Sequence, residues 1–342
     1  MRQLGDVRAR LRIFGARDCH EDAVLKAWCR GLSLDSGRQA PEDFLPRALR
    51  LALPGISEEL EALARPRSEH RAADGSARLL IDLADGQSIE SVLLPRDGVC
   101  VSSQVGCAVG CVFCMTGRDG LARQLGSAEI VAQVVHAQRR QRVRKVVFMG
   151  MGEPAHNLDN VMDAVDFLAT AGGFAHKNLV ISTVGDQRLF QRLPQGRVKP
   201  ALALSLHSTF AERRAQLLPR APRIDPAELV RLGEAYARAT GYPIQYQWTL
   251  LAGINDGDDE VERIASLLGG KYAVMNFIPF NRVDGLDFRR PSLVRAEAMT
   301  LALHRRGVLA KLRQSAGQDV EAGCGQLRAR LAVPARPVAS PA

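Results

Sequence analysis

Three cysteines stand close together in the sequence, at a spacing that suits an iron–sulfur cluster. They are Cys107, Cys111 and Cys114, and Phe113 directly precedes the last of them. Because four cysteines usually complete a 4Fe-4S cluster, three thiolates on one loop would leave the fourth iron open to another ligand. A zinc site is the alternative, and it would need a fourth ligand such as Cys100, which belongs to no paired cysteine motif. The spacing favours the cluster.

Glycine and polar residues at the ends of predicted strands indicate what the open iron would hold. The cysteine spacing is typical of the radical S-adenosylmethionine (SAM) superfamily, and the segment Val146–Pro154 resembles the glycine-rich segment that meets the SAM amino group in those enzymes. The residues predicted to bind SAM are Gly152, Glu153, Ser182, Ser205, Leu206, His207 and Asn281. Turn capping is the alternative role for the later ones, and His207 could equally be a core histidine.

Short apolar runs alternate with longer helical stretches from Val99 onward. The strand-like runs are Val99–Ser103, Lys145–Gly150, Asn178–Thr183, Ala201–His207, Ile244–Leu251 and Tyr272–Pro279, with Val308–Arg313 as a candidate last strand. The helical patterns include Ser127–Gln138, Leu158–Ala171, Pro226–Thr240 and Asp258–Leu268. Repeated βα units predict a parallel sheet, so we expect an α/β fold, a partial (β/α)6 TIM-like barrel. The chemistry of such barrels lies at the carboxyl ends of the strands.

The region before this barrel has a different pattern. Asp22–Leu34 and Pro41–Leu53 carry apolar residues at helical spacing, and Ala77–Leu83 and Ser88–Leu94 alternate like the strands of a hairpin. We therefore predict a small helical accessory domain over residues 1–75, a β-hairpin linker over 76–98 and a catalytic barrel over 99–332. Residues 333–342, which are rich in proline, are predicted to be a disordered tail.

Composition and charge narrow the class of partner. The chain carries a formal net charge of +9 and a sequence pI of about 9.5, which favours a polyanion such as RNA. No apolar run is long enough to predict a membrane span, and the first residues do not resemble a secretory signal, so a cytoplasmic protein is expected. An odd count of seven cysteines argues against a disulfide framework. The expected RNA contacts are the amino-terminal accessory domain of residues 1–75 and several arginine clusters, at Arg139–Lys145, Arg213–Arg214, Arg220–Arg223, Arg289–Arg290 and Arg305–Arg306.

Five segments together resemble one family. They are Cys100–Cys107, Gly150–Pro154, Leu204–His207, Ile278–Asn281 and Ala322–Leu327, in that order along the chain. Between about Gln87 and Leu327 the sequence is similar to the RlmN/Cfr family of radical SAM enzymes, which methylate an adenine in RNA. The resemblance implies one 4Fe-4S cluster held by the three cysteines, SAM as methyl and radical source, and rRNA or tRNA as the substrate.

The resemblance also implies roles for three further residues. In the family, one SAM methylates a cysteine that matches Cys324, and a second SAM gives a 5′-deoxyadenosyl radical that takes a hydrogen atom from this methyl group. The carbon radical adds to a carbon of the adenine ring; these residues do not fix whether that carbon is C2 or C8, and C2 is favoured. A cysteine matching Cys100 then forms a disulfide that releases the product, and a carboxylate matching Glu90 removes the ring proton. An external electron donor such as flavodoxin or ferredoxin is required.

Some positions depart from the family pattern. They are Met115, Val184, Pro219–Asp225 and Ala316–Val320. They indicate a divergent branch with a retained mechanism and an open choice of RNA target. Two other functions remain as alternatives: a radical SAM enzyme with a substrate other than RNA, which would not need Cys100 and Cys324, and a zinc-bearing RNA-binding protein. Cys19 and Cys29 match no motif and are interpreted as structural.

Overall fold

The computed structural model describes residues 1–283 and 285–329 of the 342-residue chain. Its strands are β1 (Ala64–Arg71), β2 (Ala77–Leu83), β3 (Ser88–Leu94), β4 (Gly98–Cys100), β5 (Gln104–Gly106), β6 (Leu121–Gln124), β7 (Lys145–Phe148), β8 (Leu179–Thr183), β9 (Ala201–Ser205), β10 (Ile244–Leu250), β11 (Ala273–Pro279) and β12 (Ala310–Leu312). Its helices are α1 (Leu4–Ile13), α2 (Asp18–Cys29), α3 (Pro41–Phe44), α4 (Arg47–Glu61), α5 (Ser127–Gln138), α6 (Leu158–Thr170), α7 (Gln187–Arg192), α8 (Ala211–Leu217), α9 (Pro226–Thr240), α10 (Asp258–Leu268) and α11 (Leu293–Arg305). The tail predicted over 333–342 lies outside the described residues.

The described strands form one ten-stranded sheet and a separate β5–β6 pair. The order in the large sheet is β1-β2-β3-β4-β7-β8-β9-β10-β11-β12. The first three pairings are antiparallel, and every pairing from β4 to β12 is parallel. Helices connect consecutive parallel strands, as such crossovers require. The predicted α/β fold with a partial parallel barrel is thus confirmed, and the candidate last strand is present as β12.

Helix α5 is buried on almost every side. Its residues Ser127–Ala137 are all buried, whereas an ordinary surface helix buries one stripe. The reason is that α5 packs between the amino-terminal helices α1 and α2 on one side and α6 and β1 on the other. Trp28 of α2, which is 2% exposed, also lies against Phe167 of α6. The amino-terminal helices therefore share one hydrophobic core with the barrel, and the division into domains stays a prediction.

The expectation that residues up to 75 are helical is wrong at its carboxyl end, because Ala64–Arg71 forms β1. This strand pairs antiparallel with β2, which turns the predicted hairpin into a three-stranded antiparallel unit. The hairpin strands β2 and β3 themselves have the predicted bounds. β1 lies at the edge of the sheet and alternates charged side chains with partly buried ones, a pattern that gave no clear strand signal.

The two ends of the large sheet approach each other. The backbone N–H of Gly317, which follows β12, donates to the carboxylate of Asp74 in the β1–β2 turn at 3.0 Å. The N–H of Ala73 donates in return to Asp319 at 3.0 Å. These two bonds join the segment after β12 to the β1–β2 turn, so the two ends of the large sheet lie close together. In the described part of the chain, no helix has the length and apolar character that a membrane crossing requires.

Candidate active site

The three spaced cysteines lie on the loop between β5 and β6. The N–H of Cys107 donates to the Gly120 carbonyl at 2.9 Å, which closes the base of the loop. Phe113 is 6% exposed and packs edge-on against the imidazole of His207, with 4.8 Å between the ring centres. The loop thus belongs to a second apolar cluster, separate from the main core. This packing fixes where the thiols point.

Burial raises the pKa of all three thiols of this loop. The pKa of Cys107 rises to about 12, with the charge of Glu153 adding to the effect of burial. The pKa values of Cys111 and Cys114 are raised for the same first reason, and for Cys111 the neighbouring cysteines add to it. Thiols that hold their protons this firmly become thiolates when a metal binds them. The set therefore suits a metal cluster better than free nucleophilic cysteines.

A zinc site requires several ligand side chains that converge on one ion. Within residues 1–283 and 285–329, no three His, Cys, Asp or Glu side chains converge closely enough to hold a single metal ion. In a 4Fe-4S cluster each thiolate binds a different iron, so the cysteines stand further apart than the ligands of one ion.

Gly152 and Glu153 follow β7 and form a buried carboxylate site. Gly152 has a φ of 105°, and a Cβ at this position would lie 2.6 Å from the Cβ of Gln104, so only glycine fits. The Gln104 amide oxygen accepts the Glu153 N–H at 2.7 Å. The Glu153 carboxylate accepts from the N–H groups of Ala155 at 3.0 Å and Val184 at 2.9 Å. Burial raises its pKa, and its remaining lone pairs can receive an ammonium group.

His207 is a positioning residue in this structure. Its Nδ1 accepts the backbone N–H of Thr249 at 2.9 Å, and burial lowers its pKa to about 3, so the ring is neutral at physiological pH. Its φ of 61° is rare for a residue with a side chain. These contacts are those of a core histidine, as the alternative expected, and its ring packs against Phe113 of the cysteine loop.

Ser182 and Ser205 lie near the ends of β8 and β9, and each is half-buried. Their hydroxyl groups make no hydrogen bond to another described residue, so both can bind a ligand at the strand ends. Leu206 differs, since its side chain lies in the hydrophobic core and its N–H donates to the Gln247 carbonyl at 3.0 Å. A role of Leu206 in SAM binding would therefore fall to its backbone carbonyl.

Cys100 and Cys324 come together although 223 residues separate them in the sequence. Burial raises the pKa of Cys100 to about 12, and the charge of Cys324 is the next cause. Burial likewise raises the pKa of Cys324, where Cys114 of the loop adds to it and Ser315 and Arg313 oppose it. Cys324 nonetheless has accessible surface. Both thiols and the cysteine loop thus share one site.

Asn281 holds the Cys324 segment against the end of β11. Its amide Nδ2 donates to the Cys324 carbonyl at 3.0 Å and to the Ser315 hydroxyl at 2.8 Å. Its Oδ1 accepts from Arg290 at 3.2 Å. The backbone N–H of Met115 donates to the Gly325 carbonyl at 2.8 Å, which fixes the same segment to the cysteine loop. Asn281 is thus placed between Cys324 and the strand ends.

Glu90 lies on β3 and is completely buried. Its Oε1 accepts from Arg78 at 2.6 Å, and its Oε2 accepts the N–H groups of Arg328 at 2.7 Å and Ala329 at 3.0 Å. Glu90 and Met115 line the same small cavity. The carboxylate is therefore within the site region, and the carboxyl-terminal segment caps it.

The comparisons with known proteins agree with this geometry. The radical SAM superfamily is matched over residues 101–268. A protein of Leptothrix cholodnii named probable RNA methyltransferase is 67% identical over 340 residues, covering 98% of each chain. One of Methylibium petroleiphilum with the same description is 69% identical over 328 residues, covering 96% of this chain and 93% of that protein. The crystal structure of a radical SAM methyltransferase from Sphaerobacter thermophilus superimposes with a TM-score of 0.83 at 34% identity, covering 96% of this chain and 98% of that one.

The chain belongs to the radical SAM methyltransferase family. The residues present fit the two groups that this family uses. Three buried thiols on one loop suit a cluster with an open iron, and the Glu153 carboxylate with the free hydroxyls of Ser182 and Ser205 suits the polar groups of SAM.

The motifs of a radical SAM methyltransferase did not single out Arg214, which the structure places in the site. Arg214 is 3% exposed and donates to the carbonyl groups of Val184 and Ser205. Burial lowers its pKa to about 10, while the charges of Cys111 and Glu153 oppose this effect. The buried Arg214 guanidinium thus lies close enough to Cys111 of the cysteine loop for their charges to interact. The sequence carried only the pair Arg213–Arg214, which we interpreted as a basic surface.

Proposed function

We propose that this protein methylates an adenine carbon, C2 rather than C8, in rRNA or tRNA by radical SAM chemistry through a methylated cysteine. The observation that carries the proposal is the meeting of Cys100, Cys324 and the three-cysteine loop in one site. A radical SAM enzyme with another substrate class would not need the first two of these thiols. The relatives named probable RNA methyltransferase support RNA as the substrate.

Cys107, Cys111 and Cys114 would hold a 4Fe-4S cluster, which supplies the electron that cleaves SAM. Glu153 would receive the SAM amino group, and Ser182, Ser205 and Asn281 would contact its other polar groups, with His207 and Leu206 shaping the pocket. An external donor such as flavodoxin or ferredoxin would reduce the site.

Cys324 would carry the methyl group in this proposal, and Cys100 would close the disulfide that releases the product. Two features support the pairing. The thiols are close enough for their charges to interact, and the hydrogen bonds from Asn281 and Met115 hold the Cys324 backbone next to the cysteine loop. Glu90 would remove the ring proton as general base, which requires the Arg328–Ala329 backbone to release one of its oxygens.

A groove beside this site offers a path for RNA. Its volume is about 740 Å³, and it begins at Asn281. The lining residues include Phe280, Arg282, Phe288, Arg289 and Arg290. Guanidinium groups can bind phosphates, and an aromatic face such as that of Phe288 can stack on an extruded base. The groove supports an RNA substrate whose adenine leaves its stack to reach Cys324.

The test compares two single-cysteine variants. Cys324→Ala removes the proposed methyl carrier, whereas Cys19→Ala removes an exposed cysteine outside the site and is the control. Each protein is reconstituted anaerobically with iron and sulfide and incubated with SAM, a reductant and RNA, and methylated nucleosides are quantified by mass spectrometry. We expect Cys324→Ala to bind iron like the wild type and to form no methylated adenosine, and Cys19→Ala to be fully active. Wild-type methylation by Cys324→Ala would refute the methylcysteine route.

A further inference from the structure

Three cations on β7 and just within or after β12 have no anionic partner among the described residues, and the region between these two strands is called the sheet opening. Lys145 begins β7, Lys311 lies in β12, and Arg313 follows it directly. All three residues have accessible surface, although Lys145 is also partly covered by its neighbours. None of them forms an ion pair or donates a side-chain hydrogen bond to another described residue, whereas Arg139, Arg140 and Arg144 of the neighbouring basic cluster each have an acidic partner.

The strand register shows that these cations face the interior of the barrel. Tyr246 donates its hydroxyl to the Val230 carbonyl of α9, so the side chains in its row point outward to the helices. Successive residues of a strand point to opposite faces of the sheet. Asn276 is one residue past Met275, the partner of Tyr246, so Asn276 and its own partner Lys311 point inward. On β7, Val147 is paired with Cys100, which faces Cys324. Lys145 lies two residues earlier and shares this inner face.

The curvature of the sheet brings these cations near one another. Four strands lie between β7 and β12 in the sheet order, yet the hydrogen bond from Gly317 to Asp74 brings the segment after β12 back to the β1–β2 turn. Burial lowers the pKa of Lys145, and the positive charges of Arg313 and Lys311 lower it further. Three like charges thus act on each other across one opening, an arrangement that a bound anion would stabilise.

An unpartnered buried amide lies next to the same cations. Asn276 is 1% exposed, and neither its Oδ1 nor its Nδ2 has a hydrogen-bond partner among the described residues. Such groups are rare in folded proteins, and they commonly mark a place where a ligand or water binds. The register pairs Asn276 with Lys311, so the amide and the cations point into one region.

We infer that Lys145, Lys311 and Arg313 bind a phosphate group, and that the backbone of the RNA substrate supplies it. A phosphate accepts several hydrogen bonds at once and matches both the ammonium and the guanidinium groups. RNA is favoured over free phosphate because the opening is exposed and Arg313 also acts on the Cys324 thiol. The RNA part of this inference rests on the proposed function. The phosphate part stands without it.

The experiment uses the full chain and two matched double variants. Lys145→Gln with Lys311→Gln removes two charges at the opening. Lys177→Gln with Lys271→Gln removes two exposed, unpaired lysines elsewhere in the described chain. RNA affinity is measured against salt concentration, and the melting temperature is measured in inorganic phosphate and in chloride at equal ionic strength.

We expect the slope of log affinity against log salt to fall by about 0.7 per lysine removed at the opening if each contacts a phosphate of single-stranded RNA. We also expect phosphate to raise the melting temperature of the wild type and of the control, but not of the variant at the opening. If the variant at the opening loses the phosphate effect on its melting temperature but keeps the wild-type salt slope for RNA, the ligand is free phosphate and the RNA source is refuted. Equal behaviour of the two double variants in both measurements would refute the site. The phosphate measurement does not depend on any methylation, so a failure of the proposed function is recognisable separately.

Discussion

Arg214 carries a positive charge into the part of the site where the negative groups are concentrated. Its guanidinium donates to two strand-end carbonyls, and the charges of Cys111 and Glu153 keep its pKa from falling further. With a pKa of about 10 it remains charged at pH 7. Because each reduction of a cluster adds negative charge, a fixed cation close by favours the reduced form.

Arg214→Met is therefore expected to shift the reduction potential of the reconstituted cluster to a more negative value. It is also expected to lower the free energy of unfolding by about 1–3 kcal/mol, because two buried carbonyl groups lose their donor. A redox titration followed by electron paramagnetic resonance measures the first effect, and chemical denaturation measures the second. Arg214→Lys retains the charge and should recover most of the potential. An unchanged potential in Arg214→Met would show that the residue has a structural role alone.

Sequence reasoning could predict the site residues whose spacing or neighbouring residues are typical of one kind of chemistry. Cys107, Cys111 and Cys114 are recognisable from one loop, and the structure keeps them there. Arg214 and Gln104 act through burial and through bonds to Val184, Ser205 and Glu153, which arise only when distant strands meet. No local pattern encodes such contacts, so sequence reasoning missed both residues.

At the scale of elements, the segment Ala322–Ala329 connects the predicted catalytic groups Cys324 and Glu90. It carries Cys324, it is bonded to the cysteine loop through Met115, and its last N–H groups cap Glu90. A general base needs a free oxygen, so this segment has to move before Glu90 can act. Movement of one segment would then change the position of Cys324 as well.

Ala329 offers a direct test of this cap because its φ is 56°. Proline at this position lacks the N–H and cannot adopt a positive φ, so Ala329→Pro should release the cap. Ala329→Gly keeps the N–H and suits the backbone, and it is the control. Hydrogen exchange over residues 316–329 should be faster in the proline variant, at a cost of about 1.5–3 kcal/mol for the lost hydrogen bond to a charged group. Equal exchange in the two variants would contradict the cap.

Most elements of the barrel follow from the sequence because their periodicity and caps are local. The helices α5, α9 and α10 have the predicted bounds. β1 was missed, since it forms by backbone pairing with β2 at a sheet edge and its own residues carry no clear alternation of apolar and polar side chains. The departures from the family pattern were interpreted as signs of a divergent branch, and one of them, Pro219–Asp225, contacts the cysteine loop because the Arg220 N–H donates to the Val109 carbonyl.

At the scale of the whole molecule, the net charge of +9 overstates the number of cations available to RNA. Arg139, Arg140 and Arg144 pair with Glu61, Glu69 and Asp97. Arg213 and Arg306 are paired as well. Exposed ion pairs contribute little to stability, but they reduce the positive field of those clusters. The paired arginines of these clusters are thus weaker candidates than the cations of the groove and the sheet opening, which form no ion pair with another described residue.

The most direct test of the account is the product itself. RNA from a strain that lacks this protein is incubated with the reconstituted enzyme, SAM and a reductant, and its nucleosides are separated by mass spectrometry against synthetic standards. The account predicts a new 2-methyladenosine, accompanied by 5′-deoxyadenosine. Formation of 5′-deoxyadenosine without any methylated adenosine would keep the protein among the radical SAM enzymes and contradict RNA as its substrate.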